Sequence, residues 1–259
     1  MTILNASKLN HIMLQIPSGM VLTSCWLKKQ NVSPQLAYWY VKSGWLEHVG
    51  DGLYKKAREA ISWDSAISAL QNQLQFPIHI GGKTALELLG RAHFVPMGGI
   101  KKFSLFIPPK TQVPHWLLNE KTWGVKFNIY QPRLFKEDSQ CLVEVEANWN
   151  KVLVSSPELA ILELLYLVPK HESFDEARLL FENLKYLRPQ IVQHLLEICT
   201  SVKVKRLFLY LADKYQHAWL NEMDLTKISL GSGKRVIAGG GVYNAKYKIS
   251  VPQIMEEGF

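Results

Sequence analysis

Glu144 and Glu146 alternate with Val143 and Val145, so an extended strand would put both carboxylates on one face, where they would suit a metal ion or acid–base chemistry. A strand with one wet side has the same pattern, and no third ligand lies nearby in sequence. His171-Glu172 lacks the second histidine of a zinc-protease helix, and the other histidines, including His79 and His93 on either side of a helix, have no ligand spacing. Gly231-Ser232-Gly233-Lys234-Arg235 superficially resembles a phosphate-binding loop, but the upstream glycine and the Ser or Thr after the lysine are missing. It reads as a structural or surface loop in which Lys234 and Arg235 are candidate contacts to phosphate or an acidic partner. Cys25, Cys141 and Cys199 are odd in number, far apart and without C-x-x-C spacing, so they read as reduced core thiols. No nucleophile elbow is present. No catalytic residue, metal or cofactor is expected, and the chain reads as a non-enzyme.

The better-spaced set is polar, aromatic and basic: Gln35, Tyr38, Trp39 and Lys42, followed by Lys55, Lys56 and Arg58. These types suit nucleic acid, through base edges for the first four and backbone phosphates for the basic run. The elements that must position them are legible nearby. Ser33 is placed to accept a hydrogen bond from an orphan backbone N–H, and Pro34 brings a preset φ to a first helical turn. Leu36, Ala37, Tyr40 and Val41 recur as one apolar helical face, leaving the first four candidates on the other. Gly44 suits a left-handed cap. Upstream, Leu22, Cys25 and Trp26 read as the stripe of a preceding helix, and Leu9, Ile12, Met13 and Ile16 as that of an earlier one. Downstream, Trp45–Val49 and Leu53-Tyr54 read as short strands around a Gly50-Asp51-Gly52 turn. Together these describe a winged helix-turn-helix, whose second helix enters the major groove while the hairpin touches flanking phosphates. The same shape also serves as a protein-docking module, and a solvated edge is equally basic.

Charge is distributed in keeping with a polyanion partner. Of 30 Lys and Arg against 22 Asp and Glu, residues 1–60 hold seven and three, residues 61–200 fourteen of each, and residues 201–259 nine and five. The whole excess of +8 therefore sits at the two ends. The longest apolar stretch, Leu159–Val168, contains Glu163 and is too short to span a bilayer; with no signal peptide at the start, a cytoplasmic protein without membrane contact is expected.

Beyond the winged segment, Ser62–Leu74 reads as a capped helix carrying Trp63, Ile67, Leu70 and Leu74 on one side. Ile78–Ile80 reads as a strand and Lys83–Leu89 as a helix. Four strands follow, Phe103–Ile107, Val125–Tyr130, Cys141–Val145 and Lys151–Val154, and then four helices, Pro157–Leu167, Asp175–Tyr186, Pro189–Thr200 and Val202–Tyr215. The fold class expected is α+β: a winged helix-turn-helix over residues 1–60, then a mixed α/β domain over 61–259 with a helix-rich second half.

The run from Val32 through Tyr54, centred on Y-V-K-S-G-W-L-E-H-V-G-D-G-L-Y, resembles the N-terminal module of the AbiEi-type antitoxins of type IV toxin–antitoxin systems. Ser62–Leu74, His79–Gly90, Ser155–Leu165, Gly231–Arg235 and Tyr247–Pro252 extend the resemblance over nearly the whole chain. It implies a transcriptional regulator that represses its own operon at inverted repeats, with two copies on the operator. It also implies a C-terminal domain that counters a nucleotidyltransferase-like toxin, with or without direct contact. Carried over by position, Gln35, Tyr38, Trp39 and Lys42 belong to the reading helix, and Lys55, Lys56 and Arg58 to the wing. Positions equivalent to Tyr38 and Trp39 are often basic in that family. Aromatic rings there are suited to thymine methyls, to a sugar face, or to packing on the second domain. The competing readings are a winged-helix protein-interaction module and a catalytic second domain that modifies the toxin or a nucleotide.

Overall fold

A computed structural model describes residues 13–14, 16–91, 101–136, 141–237 and 240–253. Its first elements are β1 (Val21–Thr23), α1 (Ser24–Lys29), α2 (Pro34–Lys42), β2 (Leu46–Gly50), β3 (Leu53–Lys56) and α3 (Trp63–Ser68), which continues as a π-helical turn over Ala69–Gln73. Next come β4 (His79–Ile80), α4 (Gly82–Leu88), β5 (Lys102–Phe106), a 3-10 turn at His115–Leu118, α5 (Glu120–Trp123), β6 (Lys126–Tyr130), β7 (Leu142–Glu146) and β8 (Lys151–Ser155). Four helices follow, α6 (Pro157–Leu167), α7 (Phe174–Glu182), α8 (Pro189–Ile198) and α9 (Val202–Lys214), and then β9 (Arg235–Val236), β10 (Val242–Asn244) and β11 (Ile249–Val251). The class is α+β, with strands early and helices late, as the order of patterns predicts.

The chain forms two compact units, each assembled from separated segments: residues 1–79, 101–130 and 144–153 in one, and residues 80–100, 131–143 and 154–259 in the other. In the first, the winged segment has its own apolar centre of Ile16, Leu22, Leu27, Val32, Ala37, Tyr40 and Leu46. A three-stranded antiparallel sheet in the order β1-β3-β2 flanks it, and β5 and β6 pair in parallel over their full length. The second unit is built around α6, which is buried on nearly all sides and packs against α4, α7, α8 and α9. Its two carboxylates are paired, Glu158 with Arg188 and Glu163 with the Gly82 N–H and the Ser155 hydroxyl. A small sheet, β10-β11-β9, closes the described chain and touches α9.

Several local expectations are corrected. Leu22 lies in β1, a strand too short for a period to be visible, and the buried residue of α1 is Leu27. Cys25 is exposed, Cys141 half-buried and Cys199 buried, so only Cys199 is a core thiol; none of the three is in a disulfide. Of the earliest helix, Met13 and Leu14 are helical, whereas Leu9 and Ile12 lie outside the described residues, as does His93. Glu144 and Glu146 form a wet strand face, both ion-paired with Lys151 across the β7–β8 turn at 3.0 and 3.8 Å. The three-stranded C-terminal sheet has no counterpart among the expected elements.

Candidate nucleic-acid interface

Helix α2 is well fixed at both ends. Ser33, in extended backbone, accepts a hydrogen bond from Leu36 N at 3.2 Å, and Pro34 fills the first turn; such a cap contributes about 1 kcal/mol. At the other end Gly44 adopts φ +73°, with Gly44 N bonded to Val41 O and Trp45 N to Tyr40 O, both at 3.0 Å. This is the paired arrangement that needs a left-handed residue just past the helix, and glycine adopts it without strain. Between these ends, Ala37 and Tyr40 are buried and Leu36 and Val41 half-buried, so the helix can present only its other side. That side carries Gln35, Tyr38, Trp39 and Lys42, all exposed, with Tyr38 at 69% and Trp39 at 36%. The Trp39 ring stands edge-on to the buried Tyr40 ring, 5.9 Å between centroids.

Sequence reasoning passed over two basic side chains of the preceding helix. Lys28 and Lys29 are exposed in the last turn of α1. The first helix of this motif crosses the phosphate backbone, and that geometry was the available signal.

The wing is arranged differently from the expected basic finger. β2 and β3 pair with Leu46 opposite Lys56 and Glu47 opposite Lys55, and a bulge separates His48 from Gly50. This register brings the Lys55 ammonium to Glu47 at 2.9 Å, and it also donates to Glu59 O at 2.7 Å. Lys56 donates to Ile16 O at 2.6 Å and lies 3.7 Å from Glu59. Both lysines are half-buried at the root of the hairpin. The Arg58 backbone N–H donates to Glu47, and together with Lys55 holds that carboxyl below its usual range. The Arg58 side chain is exposed. The turn itself carries an acid, Asp51. Val49, Gly50 and Asp51 form one wall of an open cleft of about 280 Å³, whose other wall is His115, Trp116, Asn119, Thr122 and Trp123.

Two glutamines of the π-helical turn bind separated parts of this unit, Gln73 reaching the winged segment. Gln73 accepts from Thr23 N and Thr23 Oγ1 and donates to Val21 O, so its amide replaces a neighbouring strand along the free side of β1. Gln71 bridges β8 and the residue before β4, exchanging two bonds with Leu153 and adding one to Ile78 O. Asp64, fully buried, accepts from Trp149 N and Asn150 N at the β7–β8 turn.

In the other unit, carbonyl oxygens of the Gly231–Arg235 loop turn inward. Arg206 is 1% exposed and donates to the carbonyls of Leu230, Gly231, Gly233 and Lys248 at 2.5–3.0 Å. A phosphate cradle presents N–H groups, whereas this loop offers oxygens to a cation. Lys234 and Arg235 remain exposed on the outside, Lys234 lying 5.0 Å from the Tyr243 ring centre. Among the described residues no group of His, Cys, Asp and Glu is placed to hold a metal, and no helix is long and apolar enough to cross a membrane.

Comparison with known proteins gives two family matches that together span the chain. Residues 5–97 match the model described as "Transcriptional regulator, AbiEi antitoxin N-terminal domain". Residues 100–252 match "Transcriptional regulator, AbiEi antitoxin, Type IV TA system". No curated protein matches. Among solved structures, the chain is similar to the RV2827C protein from Mycobacterium tuberculosis, with 15% identity, 95% of this chain and 90% of that one covered, and a TM-score of 0.62. At that identity the likeness is one of fold.

Proposed function

Because the chain belongs to the AbiEi family of antitoxin transcriptional regulators of type IV toxin–antitoxin systems, we propose that it represses its own operon by placing α2 in the major groove at inverted repeats, two copies per operator. The observation that supports this reading most is the two-sidedness of α2: one face buried, the other presenting Gln35, Tyr38, Trp39 and Lys42 to solvent. Gln35, Tyr38 and Trp39, in the helix's first two turns, would meet base edges. Lys42, Arg58 and the Lys28-Lys29 pair would meet phosphates. Lys55 and Lys56 brace the wing, and reach phosphate only by leaving Glu47, Glu59 and Ile16. Lys234 and Arg235 are the contacts proposed for the second unit, to phosphate or to an acidic partner. The same chain counters a nucleotidyltransferase-like toxin, as a regulator and not as an enzyme.

Titration of the full chain with the DNA upstream of its own reading frame tests the first part. Affinity should fall by orders of magnitude between about 50 and 200 mM salt, and Lys42→Ala with Arg58→Ala should make the log–log slope shallower by about 2. Salt-insensitive binding, or a double variant with the parental slope, would count against this surface. Co-expression with the neighbouring toxin tests the second part, and a full chain that fails to restore growth overturns it.

A further inference from the structure

We propose that α2 recognises thymine through its C5-methyl group, with Tyr38 and Trp39 as the specificity-determining residues; this rests on the DNA-binding reading above. In the major groove thymine alone offers a methyl group, while the other bases are told apart by their hydrogen-bonding edges. The solvent face of α2 has one amide, Gln35, and no arginine, asparagine or acid. The arginine that most often reads guanine and the carboxylate that reads cytosine are both absent, and the amide present is the kind that pairs with adenine N6 and N7. Lys42 stands in the last turn, and it is the N-terminal part of such a helix that meets bases.

What remains of the face is aromatic. Tyr38 and Trp39 follow Gln35 by three and four residues, so the three side chains are neighbours on the helix surface. The edge-on contact with the buried Tyr40 limits the orientations open to Trp39, which lowers the entropy lost on binding. An A·T pair beside a T·A pair would satisfy all three at once, adenine on Gln35 and the methyls of adjacent thymines against the two rings.

The upstream DNA can be amplified with dTTP or with dUTP, giving fragments of one sequence that differ only by the C5-methyl groups. Anisotropy titrations with the full-length chain, in excess unrelated competitor, should show the uracil fragment bound at least about fivefold more weakly. Tyr38→Ser with Trp39→Ser should reduce that ratio below about twofold, while Lys42→Ala should weaken both fragments and keep the ratio. Equal affinity of the parental chain for the two fragments overturns the proposal. So does a ratio that survives in the double variant, because it would then come from altered DNA flexibility and not from the rings. If neither fragment binds better than unrelated DNA of the same length, the DNA-binding reading itself fails and this inference with it.

Discussion

Gln73 stands fifty residues from Thr23 in sequence, yet its amide meets three polar groups of β1. Gln71 reaches eighty-two residues to Leu153. Each amide meets backbone groups that would otherwise be buried without partners, which is why both glutamines are themselves buried. Gln73→Leu keeps the volume and removes the bonds, leaving Thr23 N–H and Val21 C=O without partners. Urea unfolding should register a loss of about 3 kcal/mol, and an unchanged midpoint would show that the amide is dispensable. These contacts were not legible in sequence, where Ser62–Leu74 reads as one regular helix. The widening at Ala69–Gln73 answers to partners far along the chain. The partners of the wing lysines were hidden for the same reason: Glu47 and Glu59 are plain in the sequence, but only the β2–β3 register and the chain's return past Ile16 bring them to Lys55 and Lys56. By contrast, the outward set on α2 was readable, because period and capping are local properties.

Elements with strong end signals lie close to where the sequence places them. Ser33-Pro34 opens α2, Ser156-Pro157 opens α6 and Ser201 caps α9, each by a hydroxyl accepting a backbone N–H. The C-terminal sheet has no such signals. Its strands are two or three residues long, too short for alternation to show. Its order depends instead on Arg206, whose guanidinium gathers four carbonyls and is answered by no carboxylate among the described residues. The loop also needs its glycine: Gly231 sits at φ +59°, and a Cβ there would come within 2.9 Å of Val202. Arg206→Lys keeps the charge but loses the planar fork. Hydrogen exchange should then accelerate across residues 230–237 and 248–251, with about 2 kcal/mol lost overall. Parental exchange rates would show that the sheet holds itself.

At the scale of the whole molecule, acid stability is governed in part by one buried carboxylate, Glu158, and its exposed partner Arg188. Burial of Glu158 by itself raises its carboxyl, but the bidentate Arg188 guanidinium and neighbouring N–H groups outweigh this and bring it from 4.5 down to about 2. A depressed folded-state value contributes stability that is full above pH 4.5 and is lost as the pH falls through about 2. The shift corresponds to about 3 kcal/mol across that window. Unfolding measured at steps through it should show Glu158→Gln losing less stability than the parental chain by that amount, and parallel curves would remove the pair from the account. Composition and charge made the two basic ends legible, but sequence order did not reveal how the chain is shared out. The unit that holds α2 takes its last piece from residues 144–153 of 259, with Trp149, Asn150 and Leu153 bonded to Asp64 and Gln71. A ribosome therefore releases α2 early but cannot supply its full support until more than half the protein has been made. Any product that stops sooner carries α2 without the turn that secures its neighbours, so the setting of that helix is completed by the length of the chain and not by its beginning.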